Sequence, residues 1–201
     1  IIVDVDDWKG VIRAARNLCD DGRKVTGVSS QIDLQSLYSA GLLPHERKNL
    51  QGSILVGTIG KSRIIDQLVK QKKIDVRQVK GQWESYLIDV VDGNLVIAGS
   101  DKRGTIYGIY EISQRIGVSP WYWMADAPVK HQDEVYYDGG RIVQPSPKVK
   151  YRGIFINDEW PSFGTWCTNH FGGVNAKAYE HIFELLLREY VALRELAVLL
   201  Y

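Results

Sequence analysis

The residues best suited to chemistry lie in Phe155-Ile156-Asn157-Asp158-Glu159-Trp160, with the rings of Phe163 and Trp166 close behind. Carboxylates accept hydrogen bonds from hydroxyls, and aromatic faces cover apolar C–H surface, so this mixture suits a pyranose. Hydrolysis of a glycosidic bond needs two carboxyls, one to protonate the leaving oxygen and one to attack or to activate water. Asp158 and Glu159 cannot simply be that pair, because neighbours on an extended chain point to opposite faces. Asp158 goes with Ile154 and Ile156, whereas Asn157 and Glu159 go with Phe155. The partner carboxyl must come from elsewhere. The same acids could instead cap a loop and the helix that follows it.

Other motifs point away from specific chemistry. Gly57-Thr58-Ile59-Gly60-Lys61-Ser62 follows an apolar run and opens a helical one, but a phosphate-binding loop needs glycine where Leu55 stands. It reads as a tight turn. Gly99-Ser100-Asp101-Lys102-Arg103-Gly104 misses the dinucleotide spacing and reads as a structural turn. His45, His131, His170 and His181 are scattered without HExxH or HxH, so no metal site is predicted. No Gly-x-Ser-x-Gly elbow is present. Cys19 and Cys167 lack a CxxC partner. Cys19 shares a helical face with Trp8, Ile12 and Ala15 and is expected to be a buried core thiol.

Twenty-five basic against 24 acidic residues give a net charge of +1, which offers nucleic acid or an anionic membrane no cationic field. No apolar run reaches the ~18–20 residues of a membrane span. The N-terminus has none of the three regions of a signal peptide. It opens on Ile1-Ile2-Val3-Asp4-Val5, like the middle of a strand, and both ends are read as those of a partial chain.

The elements that must position these residues follow from periodicity. After Asp7 as a cap, Trp8, Val11, Ile12, Ala15, Leu18 and Cys19 predict a helix ending near Asp21-Gly22. Residues 29–51 read mostly as loop. A buried strand over 53–57 precedes a helix over 62–71. Runs at 86–91 and 95–98 flank Asp92-Gly93-Asn94, the signature of a tight hairpin. A helix over 105–116 closes at Gly117. Val135-Tyr136-Tyr137 and Ile142-Val143 are candidate short edge strands.

This order predicts an N-terminal α/β sandwich of mixed sheet and helices with its core complete by about residue 120. Pro145-Ser146-Pro147 marks a boundary, giving an accessory domain over 1–147 and a second unit over 148–201. The second unit is expected to hold a strand over 149–157, a long loop over 158–173 and a helix from 175 to about 188, with Ile182, Phe183, Leu186 and Leu187 packed. Strand, loop, helix is the repeat of a TIM (β/α)8 barrel, whose carboxyl-end loops build the active site. One repeat cannot close a barrel of ~200 or more residues.

Several segments resemble glycoside hydrolase family 115. They are the run from Val56 to Ser62, that from Gly99 to Tyr110, then Gly117-Val118-Ser119-Pro120-Trp121-Tyr122-Trp123, and the run from Lys150 to Phe163. Family members are xylan α-1,2-glucuronidases, largely bacterial. The resemblance implies a small α/β domain before a (β/α)8 catalytic domain, inverting hydrolysis, no cofactor, commonly a homodimer, and a secreted or periplasmic enzyme. It implies glucuronoxylan or an aldouronic acid as substrate. Asn157, Asp158, Glu159 and Trp160 would line the glucuronate pocket, with Asp158 the preferred contact. The main acid/base candidates and the cationic groups for the uronate are expected downstream of Tyr201, so the 201 residues alone are expected to be inactive. The runner-up is a non-catalytic carbohydrate-binding or scaffold module. Met124 stands where another aromatic is expected. From Arg188 the tail stays leucine-rich where the family would enter a second barrel strand.

Overall fold

A computed structural model describes residues 1–35, 52–124, 127–137, 139–157 and 159–190. The chain divides into two compact units at Pro147 and Lys148.

The first unit is built on six strands. They are β1 (Ile2–Asp4), β2 (Asp33–Gln35), β3 (Ile54–Thr58), β4 (Tyr86–Val91), β5 (Asn94–Gly99) and β6 (Ile142–Gln144). They lie in the order β2-β1-β3-β5-β4-β6. The first four of that order run parallel, and β4 is antiparallel to both β5 and β6. Helices α1 (Lys9–Thr26), α2 (Arg63–Lys70) and α3 (Lys102–Arg115) complete the unit.

Strand alternation sends side chains to two faces, and each face is covered. Leu55, Leu87, Val96 and Ala98 meet Ile64, Ile65 and Leu68 of α2 in one core cluster. Tyr86 and Ile97, from the opposite set, press on α3 at Gly108, where an added Cβ would sit 2.8 Å from Ile97 Cγ2. Helix α1 packs beside α3. The result is an α/β sandwich with a mixed sheet, as the sequence predicts.

The hairpin forms as its turn chemistry dictates: Asp92 and Gly93 both take positive φ (50° and 75°), which lets Val91 pair with Asn94. Helix α1 does not stop at Asp21-Gly22. It runs on to Thr26 because Asp21 and Val25 are buried on its inner face, and Gly27, at φ 73°, makes the left-handed cap. Cys19 falls off that inner face and is only half-buried, a correction to the core-thiol expectation. Helix α3 starts three residues earlier than predicted because the Asp101 side chain accepts from Gly104 N and caps it. Strand β2 lies inside the stretch read as loop; the rest of that stretch, 36–51, is outside the described residues. Ile142–Gln144 is an edge strand, whereas Val135-Tyr136-Tyr137 is not a strand.

In the second unit, residues 149–157 take no strand assignment. A strand exists only through its ladder, and no partner strand for this segment lies among the described residues. The loop predicted over 158–173 contains a helix, α4 (Phe163–Phe171), ended by Gly172 at φ 77°. Helix α5 (Ala176–Arg188) begins where expected, with the Asn175 side chain accepting from Lys177 N and Ala178 N. Ile182 and Leu186 are buried, but Phe183 is exposed and Leu185 takes its place in the core. The leucine-rich tail over 191–201 is outside the described residues.

Candidate functional site

Open α/β sheets bind ligands at the carboxyl ends of their strands, where the strand order reverses. In the first unit that point lies between β1 and β3, since the chain leaves β1 for β2 and leaves β3 towards β5. Sequence reasoning missed the residues gathered there, because their partners are 51 and 59 positions apart.

Asp4, at the end of β1, is buried. Its Oδ2 accepts from Arg63 N (2.9 Å) and Arg63 Nε (3.0 Å), and its Oδ1 from Arg63 Nη2 (2.9 Å). Burial pulls the Asp4 carboxyl upward, but the Arg63 side chain and the N–H groups of Asp6 and Arg63 outweigh it and hold it below the usual range. Asp6 adds a 2.6 Å contact to Arg63 Nη2. Asp7 is buried too. It accepts from Thr58 N (2.7 Å), Thr58 Oγ1 (2.8 Å) and Trp8 N (2.7 Å), and burial pushes its carboxyl up despite these donors.

This arrangement fills the crevice with the protein's own groups. Asp66 Oδ1 takes Gly60 N at 2.7 Å, the Thr58 carbonyl takes Lys61 N and Ser62 N, and Asp4 takes Arg63 N. A phosphate would find carboxylates where it needs N–H donors, so the Gly60-Lys61-Ser62 segment is a structural turn. Gly57 is required for packing: a Cβ there would lie 2.3 Å from the Ser62 Cβ. The second glycine-rich segment is structural too, since Cβ atoms on Gly99 and Gly104 would lie 2.1 Å from Thr105 N and Ser85 O. Among the described residues no three His, Cys, Asp or Glu side chains converge to hold a metal ion.

The second unit carries the segment singled out in the sequence. Arg152 ties it to the end of α5: Nε and Nη2 donate to the Tyr190 carbonyl (3.0 and 2.6 Å), and Nη1 donates to the Val149 carbonyl (2.6 Å). Asn157 Nδ2 donates to Glu159 Oε1 at 3.3 Å, so these two side chains lie together. Both are exposed. Asp158 lies outside the described residues.

Trp160 follows at 67% exposure, through a cis peptide bond to Pro161. Its indole lies on Gly164, where an added Cβ would be 2.8 Å from Trp160 Cε2. Glycine at 164 therefore lets the ring rest on the first turn of α4 and keep a broad surface open. Phe163 and Trp166 are used differently. Phe163 meets Tyr179 edge-on at 6.1 Å, Trp166 stacks on His170 at 4.8 Å, and Phe171 meets His181 at 5.3 Å. Phe163 and Tyr179, like Phe171 and His181, join α4 to α5. The structure thus brings Asn157, Glu159 and Trp160 to one exposed stretch and withdraws Phe163 and Trp166 into helix packing.

The profile of Glycosyl hydrolase family 115 matches residues 144–193, the stretch that carries Arg152 and the Asn157-to-Trp160 segment. No curated protein matches the sequence. Among solved structures, BtGH115A, a family GH115 4-O-methyl-α-glucuronidase with specificity for decorated arabinogalactans, matches at 34% identity and a TM-score of 0.77. That match covers 94% of this chain and 24% of the BtGH115A chain, so the sequence spans about a quarter of that relative. CpGH84D covers 77% of this chain and 21% of its own, at 7% identity and a TM-score of 0.45, which carries no argument. The profile falls on the candidate site and the structural match extends across both units, so the chain belongs to glycoside hydrolase family 115.

Proposed function

We propose that the chain supplies the accessory α/β domain and the entry to the catalytic (β/α)8 domain of an α-glucuronidase. That enzyme removes α-1,2-linked glucuronic acid, or its 4-O-methyl form, from a polysaccharide by inverting hydrolysis. The observation that carries this reading is the match to BtGH115A over nearly the whole chain at 34% identity. The relative acts on decorated arabinogalactans, whereas the sequence resemblance points to glucuronoxylan or aldouronic acids. The uronic acid unit is what the two readings share.

Residues 157–160 fit one side of such a substrate. Asn157 offers a donor and an acceptor, Asp158 and Glu159 offer carboxylate acceptors for ring hydroxyls, and Trp160 offers a flat apolar face. Carboxylates repel the sugar's own carboxylate, so cationic groups from later parts of the full-length protein must hold that end. Inverting chemistry places its two carboxyls about 6.5–9.5 Å apart with a water between them. Adjacent residues of an extended chain, such as Asp158 and Glu159, point apart rather than into one site. The catalytic pair is therefore assigned to the remainder of the enzyme. The substrate polysaccharide is extracellular, which favours a secreted or periplasmic location; no helix among the described residues is long and apolar enough to cross a membrane.

The test is an assay of the purified 201-residue chain and of the full-length enzyme on aldouronic acids and on glucuronidated arabinogalactan. The full-length enzyme is expected to release uronic acid from at least one, and the chain alone from neither. Turnover by the chain above a buffer blank, or none by the full-length enzyme, overturns the proposal. The self-contained sheet of the first unit favours a second reading, a non-catalytic carbohydrate-binding or scaffold module. Binding of glucuronoxylan fragments that survives Asp158→Ala, and survives truncation before Pro145, would select it.

A further inference from the structure

The opposite end of the first unit's sheet, away from the network at the carboxyl ends of β1 and β3, holds a cavity of about 500 Å3. That size falls in the ~300–1,000 Å3 range of small-ligand pockets. Its apolar lining includes Ile54, Leu95 and Ile112, and Arg115, Tyr136 and Tyr137 line it as well. None of these residues enters the site described above.

Three features define what it would take. Tyr136 is 82% exposed, and its phenol is bonded to Glu134. The Tyr137 phenol is bonded to the Gly140 carbonyl. Both hydroxyls are engaged by their own loop, so what these residues offer a ligand is ring surface, which suits the C–H face of a sugar. Arg115, half exposed at the end of α3, donates only Nε, to Glu111 Oε1 at 2.7 Å. Its two Nη groups make no hydrogen bond among the described residues. A guanidinium edge with unspent donors matches a carboxylate in the paired geometry that arginine favours. Because Glu111 already balances its charge, selectivity would come from this donor fork rather than from net charge.

We propose that this cavity is a second saccharide site, selective for an acidic sugar such as a uronic acid branch of the polysaccharide. It would hold a decoration at the accessory domain while another is cleaved. The inference rests on the carbohydrate reading given above. It is tested separately, through residues of the first unit alone.

The experiment is a titration of the 201-residue chain with methyl glucuronoside and with methyl glucoside, followed by amide NMR. Saturable shifts are expected at Ser53 and Gly93 with the glucuronoside, and at least tenfold weaker binding of the glucoside. Arg115→Gln should weaken glucuronoside binding at least tenfold, Arg115→Lys by less, and Tyr136→Ala several-fold. Tyr136 is exposed, so its variant keeps the test informative should an Arg115 variant fail to fold. Absence of shifts at Ser53 and Gly93, equal affinity for the two glycosides, equal shifts with acetate, or indifference to Tyr136→Ala overturns the proposal. A full-length enzyme that releases no uronic acid while these shifts persist would defeat the glucuronidase reading and leave this site standing.

Discussion

Asp7 is a carboxylate in a place where burial penalises charge, kept there by the N–H and hydroxyl of Thr58 and by Trp8 N. Removing it strands the buried Thr58 N, while the Thr58 hydroxyl keeps Thr105 Oγ1 at 2.8 Å as a partner. One orphaned buried donor costs about 1–3 kcal/mol, so Asp7→Ala should destabilise the first unit by about that amount, read from the urea midpoint. Its neighbour responds to pH in the opposite sense. Asp4 is held below its ordinary value of 3.8, so it contributes stability above that pH and loses it as acid approaches the lower folded value. Asp7 is raised above 3.8, so its term favours the fold at low pH and fades as pH rises through the folded value. Asp4→Asn should therefore flatten the fall of melting temperature between roughly pH 5 and pH 2, whatever it costs at neutrality. A wild-type slope unchanged in that variant would show that Asp4 is not the acid-sensitive group. Nothing in the sequence announced this pair, because each carboxylate finds its partner across more than fifty residues. Asn157, Glu159 and Trp160, by contrast, stand out by residue type alone, and the structure leaves all three exposed, but their role is the one proposed above rather than one the fold displays.

The elements divide by the same logic. Where one local feature decides the outcome, the sequence foretold it: Asp92-Gly93 makes its turn through two positive φ angles, and Asn175 caps α5 with its own side chain. Where tertiary contacts decide, it did not. Strand β2 is Asp33-Leu34-Gln35, polar at both ends, and is a strand only because β1 pairs with it. Gly22 looked like a helix stop, yet burial of Val25 carries α1 past it. These two kinds of glycine can be separated by experiment. Gly22 has open space where a Cβ would go and sits inside a helix, so Gly22→Ala should stabilise by about 0.5–1 kcal/mol. Gly104 has the Ser85 carbonyl oxygen 2.1 Å from that position, and backbone on β4's side cannot yield as a side chain tip would. Gly104→Ala should cost about 3 kcal/mol or more, measured by thermal melting of the two variants side by side.

At the scale of the whole molecule, the two units differ in how far each satisfies itself. The first closes on its own end: Arg141 Nη2 reaches the Asp75 carbonyl at 2.7 Å, and Ser146 Oγ reaches the Trp83 carbonyl at 2.7 Å. Truncation after Pro147 should therefore leave a domain that unfolds in one transition, within a few degrees of the corresponding transition in the longer chain. The second unit instead exposes Val149, Tyr151, Ile154 and Phe155 along a segment without a ladder. Apolar residues from both sides of an extended segment are left facing solvent, as suits a strand buried on both faces once strands flank it. Amide hydrogen exchange decides whether that is its destination. In the 201-residue chain, amides over 149–157 should exchange nearly as fast as unprotected peptide, while those of β3 and β5 exchange slowly. In the full-length enzyme the same amides should become protected, because a barrel strand donates to its neighbours on either side. Equal and rapid exchange in both would mean that 149–157 never joins a sheet, and the proposed carboxyl-end placement of Asn157, Asp158 and Glu159 would fall with it.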